Sequence, residues 1–442
     1  MKKTRKFFVA LFALAVTLAM CFCFVACDDE PAEEKMRFEK VSDSADGYAT
    51  LYMPSDGQLD VMVLSDPQVD IWEKYQTVGS PGNDKTYEFI EDFVAATDPD
   101  FVVINGDLVM ADLVVKSQVP YFEKYAEIFE RLEVPWTFTF GNHDCDGQYT
   151  NETATADSEI AQCSKATLID FMSDFEHCLV YTDDSCADGD GNAFVNVRDS
   201  KGELVYTMCL FDCLTDDSGY ESVPTAEQVR WYRDTVNALS DERFGEDRAA
   251  TDVVKSVIFT HVGIPEFKAA WDAAWNDGDP TEAYHYGMWL QGDYTDNYGD
   301  LPAEERIFDV VKELGSTKAI FMAHHHDNDF SVDYEGVRLT FGQHSGYSHS
   351  YRTTHSANGP ATPFWKDVDF SRVDDYGDRR GGTLLTLTAA EEFGIEPVYA
   401  ADALSDYMEK YYIDYDKVAE ELAADPSYTS GITRGEGRAW RR

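Results

Sequence analysis

The sequence predicts an α/β layered fold, because short β-rich apolar runs alternate with helical patterns and each run is followed at once by polar residues. No internal repeat or low-complexity tract breaks the alternation.

The first element is a leader. Lys2, Lys3, Arg5 and Lys6 precede an apolar run from Phe7 to Val25, which closes on Ala26-Cys27 and is followed by Asp28-Asp29-Glu30. This is the form of an export signal. Residues 1–27 resemble a bacterial lipoprotein signal with Cys27 as the lipidated residue, and the run is also long enough for an uncleaved anchor. On either reading the protein is expected outside the cytoplasm, touching the membrane only through its N-terminal lipid or anchor. An acidic linker over 28–48 leads to a main domain over 49–388, and 389–442 is expected to be a small helical C-terminal extension on the pattern of Ala403 to Ala423.

Within the main domain, buried strands are expected at Val61–Leu64, Phe101–Ile104, Thr137–Phe140, Val205–Phe211, Val257–Thr260 and Ala319–Met322, with Thr383–Thr388 closing the core. Apolar residues at helical spacing mark Tyr87–Ala96 and Tyr121–Leu132 as sheet-covering helices. Thr225-Ala226-Glu227-Gln228 has the form of a capping box opening a helix through about Leu239. Pro302 to Leu314, closed by Gly315, reads as another helix. The stretch from Asp144 to Gly202 is polar and poor in periodicity, so it is expected to be loops beside the site.

Charge narrows the partners. The chain carries a formal net charge of −47, more negative still once the basic leader is set aside. Such a surface repels duplex nucleic acid and anionic headgroups, and leaves small substrates drawn in by bound cations. Cys145, Cys163, Cys178, Cys186, Cys209 and Cys213 contain no C-x-x-C pair, which speaks against a structural zinc knuckle. Export permits disulfides among them, and buried thiols are the alternative.

The ends of the strands carry Asp66, Gln68, Asp107, Asn142, His143, His261, His324 and His326. In an α/β sheet, side chains just past the carboxyl ends of strands converge on one crevice. Asp66, Asp107, Asp144 and Asn142 each read alone as turn residues, but five strand ends all bearing metal-ligand types do not. Two cations held about 3.5–4 Å apart, with one carboxylate shared between them, suit phosphoryl hydrolysis. Mixed oxygen and imidazole donors favour Mn, Fe or Zn over Ca or Mg.

Gly106-Asp107, Gly141-Asn142-His143-Asp144, Thr260-His261 and Ala323-His324-His325-His326 resemble the successive blocks of the calcineurin-like metallophosphoesterases, over roughly residues 57–388. His261-Val262-Gly263-Ile264-Pro265-Glu266-Phe267, Asp327-Asn328-Asp329-Phe330, Phe341-Gly342 and Gly346-Tyr347 are similar to a branch related to the purple acid phosphatases. The resemblance implies a four-layer α/β/β/α sandwich and hydrolysis of a phosphate mono- or diester by a hydroxide held between two metals. It assigns Asp66 and His326 to the first metal, Asn142, His261 and His324 to the second, and Asp107 to both. His143, backed by Asp144, becomes the general acid that protonates the leaving oxygen.

Three departures stand out. Gln68 occupies the place of a His in the first block, so the first metal is expected to bind less tightly through an amide oxygen. Met110 replaces the tyrosine that colours purple acid phosphatases, so no visible charge-transfer band is expected. Ala323 replaces a glycine, and His325 reads as a solvent-facing or outer residue. His344 is the one remaining histidine whose loop is expected near the site. The rival reading is a surface lipoprotein on the same scaffold that captures metal or phosphate without turnover.

Overall fold

Two β-sheets pack face to face, each with helices on its outer side. The computed structural model describes residues 36–70, 82–110, 118–144, 164–214, 224–276, 279–289, 298–326, 328–347 and 379–412. The signal at 1–27 with Cys27, the cysteines Cys145 and Cys163, and 413–442 lie outside the described residues. The fold below belongs to the compact unit Arg37–Arg442.

In chain order the strands are β1 (Arg37–Glu39), β2 (Ala49–Tyr52), β3 (Gln58–Leu64), β4 (Val69–Asp70), β5 (Phe101–Asn105), β6 (Val109–Met110), β7 (Trp136–Thr139), β8 (Ala193–Arg198), β9 (Leu204–Phe211), β10 (Lys255–Thr260), β11 (Trp275–Asn276), β12 (Asp279–Pro280), β13 (Tyr284–Met288), β14 (Thr317–Met322), β15 (Asp329–Tyr334), β16 (Val337–Phe341), β17 (Gly381–Thr388) and β18 (Phe393–Tyr399). The helices are α1 (Asn83–Thr97), α2 (Val119–Leu132), α3 (Lys165–Met172), α4 (Ala226–Phe244), α5 (Glu266–Ala274), α6 (Ile307–Leu314), α7 (Ala400–Ala403) and α8 (Tyr407–Lys410).

One sheet has the order β18-β17-β3-β5-β7 and the other β1-β2-β8-β9-β10-β14-β16-β15-β13. Strands β3, β5 and β7 run parallel, as do β9, β10, β14 and β16, so each sheet presents several carboxyl ends along one edge. Burial alternates with period two along them. Met62, Leu64, Val102 and Ile104 join the core under α1 and α2, while Ile258, Ile320 and Met322 join the core under α4, α5 and α6. Their neighbours Val61, Val63, Val103, Val257, Phe259 and Phe321 are also fully buried but lie outside both helix-side clusters, and fill the space between the sheets. This is the α/β/β/α arrangement.

Local chemistry fixes the ends of the elements. Thr225 Oγ1 accepts from the Gln228 amide at 3.2 Å and Gln228 Oε1 accepts from the Thr225 amide at 2.9 Å, the reciprocal capping box that opens α4. Gly315 closes α6 at φ 65, a conformation that costs glycine little. Ahead of α6, Ala303–Glu305 forms a 3-10 turn rather than a continuous helix, because Arg306 is extended.

Besides that break, and strands such as β2, β15 and β16 that the sequence reading did not expect, the structure differs from it at three places. The stretch read as loops contains α3, capped by Ser164 Oγ accepting from the Thr167 amide, and β8, whose Asn196 is buried opposite Thr207. The part read as linker contributes β1, a polar edge strand. After residue 388 the chain does not turn helical at once: β18 pairs antiparallel with β17, with only Ile395 buried along it, so no alternation signals the strand.

Candidate metal centre

The expected ligands sit where the parallel strands end. Asp66 and Gln68 follow β3, Asp107 follows β5, Asn142 and His143 follow β7, His261 follows β10, and His324 and His326 follow β14. Each chain reversal is tight. Asp66, Gln68, Asp107 and His324 all have positive φ, at 51°, 42°, 52° and 76°. Non-glycine residues adopt this region at a cost, which the surrounding contacts must offset.

Asp107 is the hub, fully buried. Its Oδ1 accepts from the His143 amide at 2.9 Å and its Oδ2 from Gln68 Nε2 at 2.7 Å. His261 Nε2 lies 3.3 Å from Asp107 Oδ2 and 3.2 Å from Asn142 Oδ1, which in turn lies 2.9 Å from His324 Nδ1. On the other side His326 Nε2 is 3.3 Å from Asp66 Oδ1. Ligand atoms of Asp107, His261 and His324 all fall within 4.8 Å of one another, as do those of Asp66, Asp107 and His326. Both groups could hold a metal ion, and Asp107 belongs to both. Donor separations near 3.3 Å are the edges of a tetrahedron around a cation with bonds of about 2.0–2.1 Å.

Two further details fit a cation. His261 Nδ1 donates to the Asn105 carbonyl at 2.9 Å, which leaves Nε2 for the interior of the site. Gln68 Oε1 is buried and has no hydrogen-bond partner, although its amide nitrogen is engaged, so it is an acceptor awaiting a positive group. The electrostatics agree. Against burial, which opposes ionisation, the imidazoles of His261 and His143 hold Asp107 well below the usual carboxylate range. Burial would lower His261, yet Asp107 and Asp66 raise it to about 9, so the pocket draws positive charge. Burial, then His325 and His261, depresses His324.

Asp144 is placed differently from the expectation that it backs His143. Its Oδ2 accepts from the amides of Gly141 at 2.7 Å and Asp107 at 3.0 Å, and its Oδ1 from Val109 at 2.9 Å. The carboxylate is a strut between the β5 and β7 turns, taken up by backbone rather than by an imidazole. Burial, reinforced by the Asp107 charge, pushes it up to about 7.

One contributor was not read from sequence. Asn105 supplies the carbonyl that fixes His261, and its signal was a polar residue ending the apolar run Phe101-Val102-Val103-Ile104. His344, whose loop was expected near the site, stacks on His326 with ring centroids 4.7 Å apart and 13° between planes. His285 and His177 pair with Asp333 and Glu130, away from the ligand groups. The aromatic residues Trp271, Trp275 and Tyr284 pack on one another and on Phe330, as core-type contacts. Cys178, Cys186 and Cys209 are free buried thiols, and Cys213 is buried as well.

The calcineurin-like phosphoesterase family matches residues 59–328, more than half of the chain. The chain is 23% identical over 378 residues to an Arabidopsis thaliana protein named "Probable inactive purple acid phosphatase 14", spanning 79% of this chain and 82% of that one. It is 22% identical over 317 residues to "Probable inactive purple acid phosphatase 28" of the same plant, spanning 66% and 72%. Among solved structures, a dimetal phosphatase from Danio rerio aligns at a TM-score of 0.38 and 9% identity over 75% of this chain and 93% of that one. The chain therefore belongs to the calcineurin-like phosphoesterase family, with relatives among the purple acid phosphatase-related proteins.

Proposed function

We propose that the protein is a metal-dependent phosphoesterase acting on a small phosphate mono- or diester. The observation that carries this is the membership of Asp107 in both Asp/His groups, since a shared carboxylate is what keeps two cations close despite their repulsion. Asp66, Gln68, His326 and Asp107 would hold one ion, and Asn142, His261, His324 and Asp107 the other, with Mn, Fe or Zn suited to the donor set. When bound, the pair would polarise the phosphate oxygens and make a water acidic enough to ionise near neutral pH.

The chain's own groups do the rest. Asp144 holds the two ligand-bearing turns in register, and the His143 amide is tied to Asp107 Oδ1. On this reading the His143 imidazole would give its proton to the leaving oxygen. Export and a lipid on Cys27 complete the proposal and rest on the leader sequence alone; incorporation of labelled palmitate that disappears in Cys27→Ala would support the tether.

A second reading has a specific support: the relatives carry the word "inactive" in their names, and Gln68 gives the first group a poorer donor than imidazole. On it, the protein binds metal or phosphate without turnover. Hydrolysis of a chromogenic phosphomonoester and diester in the presence of Mn decides between the two. Turnover that falls at least about a hundredfold in His143→Ala, with metal uptake intact, is expected. Metal uptake without turnover in wild type would favour the second reading, and uptake of neither metal nor phosphate would remove both.

A further inference from the structure

His344 is absent from both Asp/His groups, yet its ring lies parallel to that of His326, 4.7 Å between centroids. The loop carrying it is docked on the loop carrying Asp66. The Ser345 amide donates to the Ser65 carbonyl at 2.8 Å, the Ser65 amide donates to Ser345 Oγ at 3.1 Å, and Ser65 and His344 form an isolated parallel bridge. The approach is too close for side chains: a Cβ on Gly342 would collide with Ser65 Oγ and one on Gly346 with the Pro67 carbonyl. His344 therefore keeps a fixed place relative to Asp66, and presents a flat surface to the one imidazole of the first group.

We infer that His344 is a positioning residue for His326, holding that ring in the plane from which Nε2 faces Asp66 and thereby setting the affinity of the first cation site. The inference rests on the assignment of Asp66 and His326 to a cation. The physical reason is that a metal-binding imidazole with a free ring torsion must be ordered on binding, while a stacked one is already ordered. The first group has particular need of this, because its other donors, from Asp66, Asp107 and the Gln68 amide, are oxygens and His326 is its one imidazole.

The test is calorimetric titration of the metal-free full chain with Mn2+ alone. Wild type should show two binding events. His344→Ala should weaken one of them about tenfold and leave the other unchanged, and His344→Phe, which keeps the flat ring, should restore the weakened event to within about threefold. Equal affinities in wild type and His344→Ala would overturn the inference while leaving the metal centre standing. A loss in His344→Phe as large as in His344→Ala would also overturn it, since a ring nitrogen rather than the stack would then be at work. Wild type that takes up no cation would overturn the metal centre itself and this inference with it. Should His344→Ala fail to fold, His344→Phe against His344→Gln decides, with Phe expected to bind at least threefold more tightly than Gln if the ring is what matters.

Discussion

Gln68 Nε2 donates to Asp107 Oδ2 at 2.7 Å, so the residue that departs from the family pattern grips the carboxylate shared by both candidate sites. A carboxylate only accepts, which fixes the amide orientation and leaves Oε1 as the acceptor. Replacing Gln68 by His trades that acceptor for a better donor to a borderline cation. Gln68→His is expected to tighten the first cation site about tenfold and to bring two unequal binding events closer together. Metal titration of the metal-free protein checks it, and an unchanged ratio between the events would count against Gln68 as the cause of the inequality.

Asp144→Asn tests the strut. The carboxylate satisfies three backbone amides, from Asp107, Val109 and Gly141, in a fully buried place. A carboxamide has one accepting oxygen, so its NH2 group must face at least one of those amides. The variant is expected to lose about 2–3 kcal/mol of stability, read as a lowered urea midpoint in the metal-free protein. A role confined to His143 would reduce turnover and leave the midpoint where it was.

Glycine at two positions is a condition of the centre. A Cβ on Gly106, whose φ is 84°, would collide with the His261 ring, and one on Gly141 would collide with the Asp107 carboxylate and amide. Neither neighbour has room to yield, because His261 is held by Asn105 and Asp107 by its own backbone contacts. Gly106→Ala is expected to weaken the cation site of His261 and His324 by at least about tenfold while sparing that of Asp66 and His326. Gly141→Ala should weaken both, because Asp107 serves both. Site-resolved titration, with a circular dichroism spectrum to confirm folding, separates the two outcomes.

What the sequence made legible follows from how its signals arise. Strands β3, β5, β7, β9, β10 and β14 were readable because they are largely buried on both faces and so appear as apolar runs, and the ligands were readable because they stand just after those runs. The roles of Asp144 and His344 were not readable. Asp144 is a strut through contacts with Val109 and Gly141, and His344 reaches His326 across 18 positions of chain, relations that no local pattern encodes. β18 and β1 escaped for the opposite reason: as edge strands they bury too little to leave a period-two trace.

At the opposite ends of β3 and β5 from the ligand-bearing turns, Asp100 Oδ2 accepts from the Asp60 amide at 2.8 Å amid the charges of Asp60, Asp56 and Asp98. Burial, with those like charges, raises Asp100 from 3.8 to about 6 despite the hydrogen bond that favours its ionised form. The folded protein then binds the Asp100 proton more tightly than the unfolded chain does. Stability must therefore fall as pH rises from about 4 to about 6, and the loss persists above that window. Asn keeps an acceptor for the Asp60 amide and carries no charge. Asp100→Asn is expected to stabilise the protein at pH 7–8 by about 1 kcal/mol, after discounting for the partial exposure of the site, or roughly 2–3 °C in Tm. The gain should shrink as pH drops below 6 and vanish only below about 3, where Asp100 is protonated in both states. Thermal melts of both proteins across that range supply the check, and a gain of equal size at pH 4 and pH 8 would show that repulsion among these aspartates is not its source.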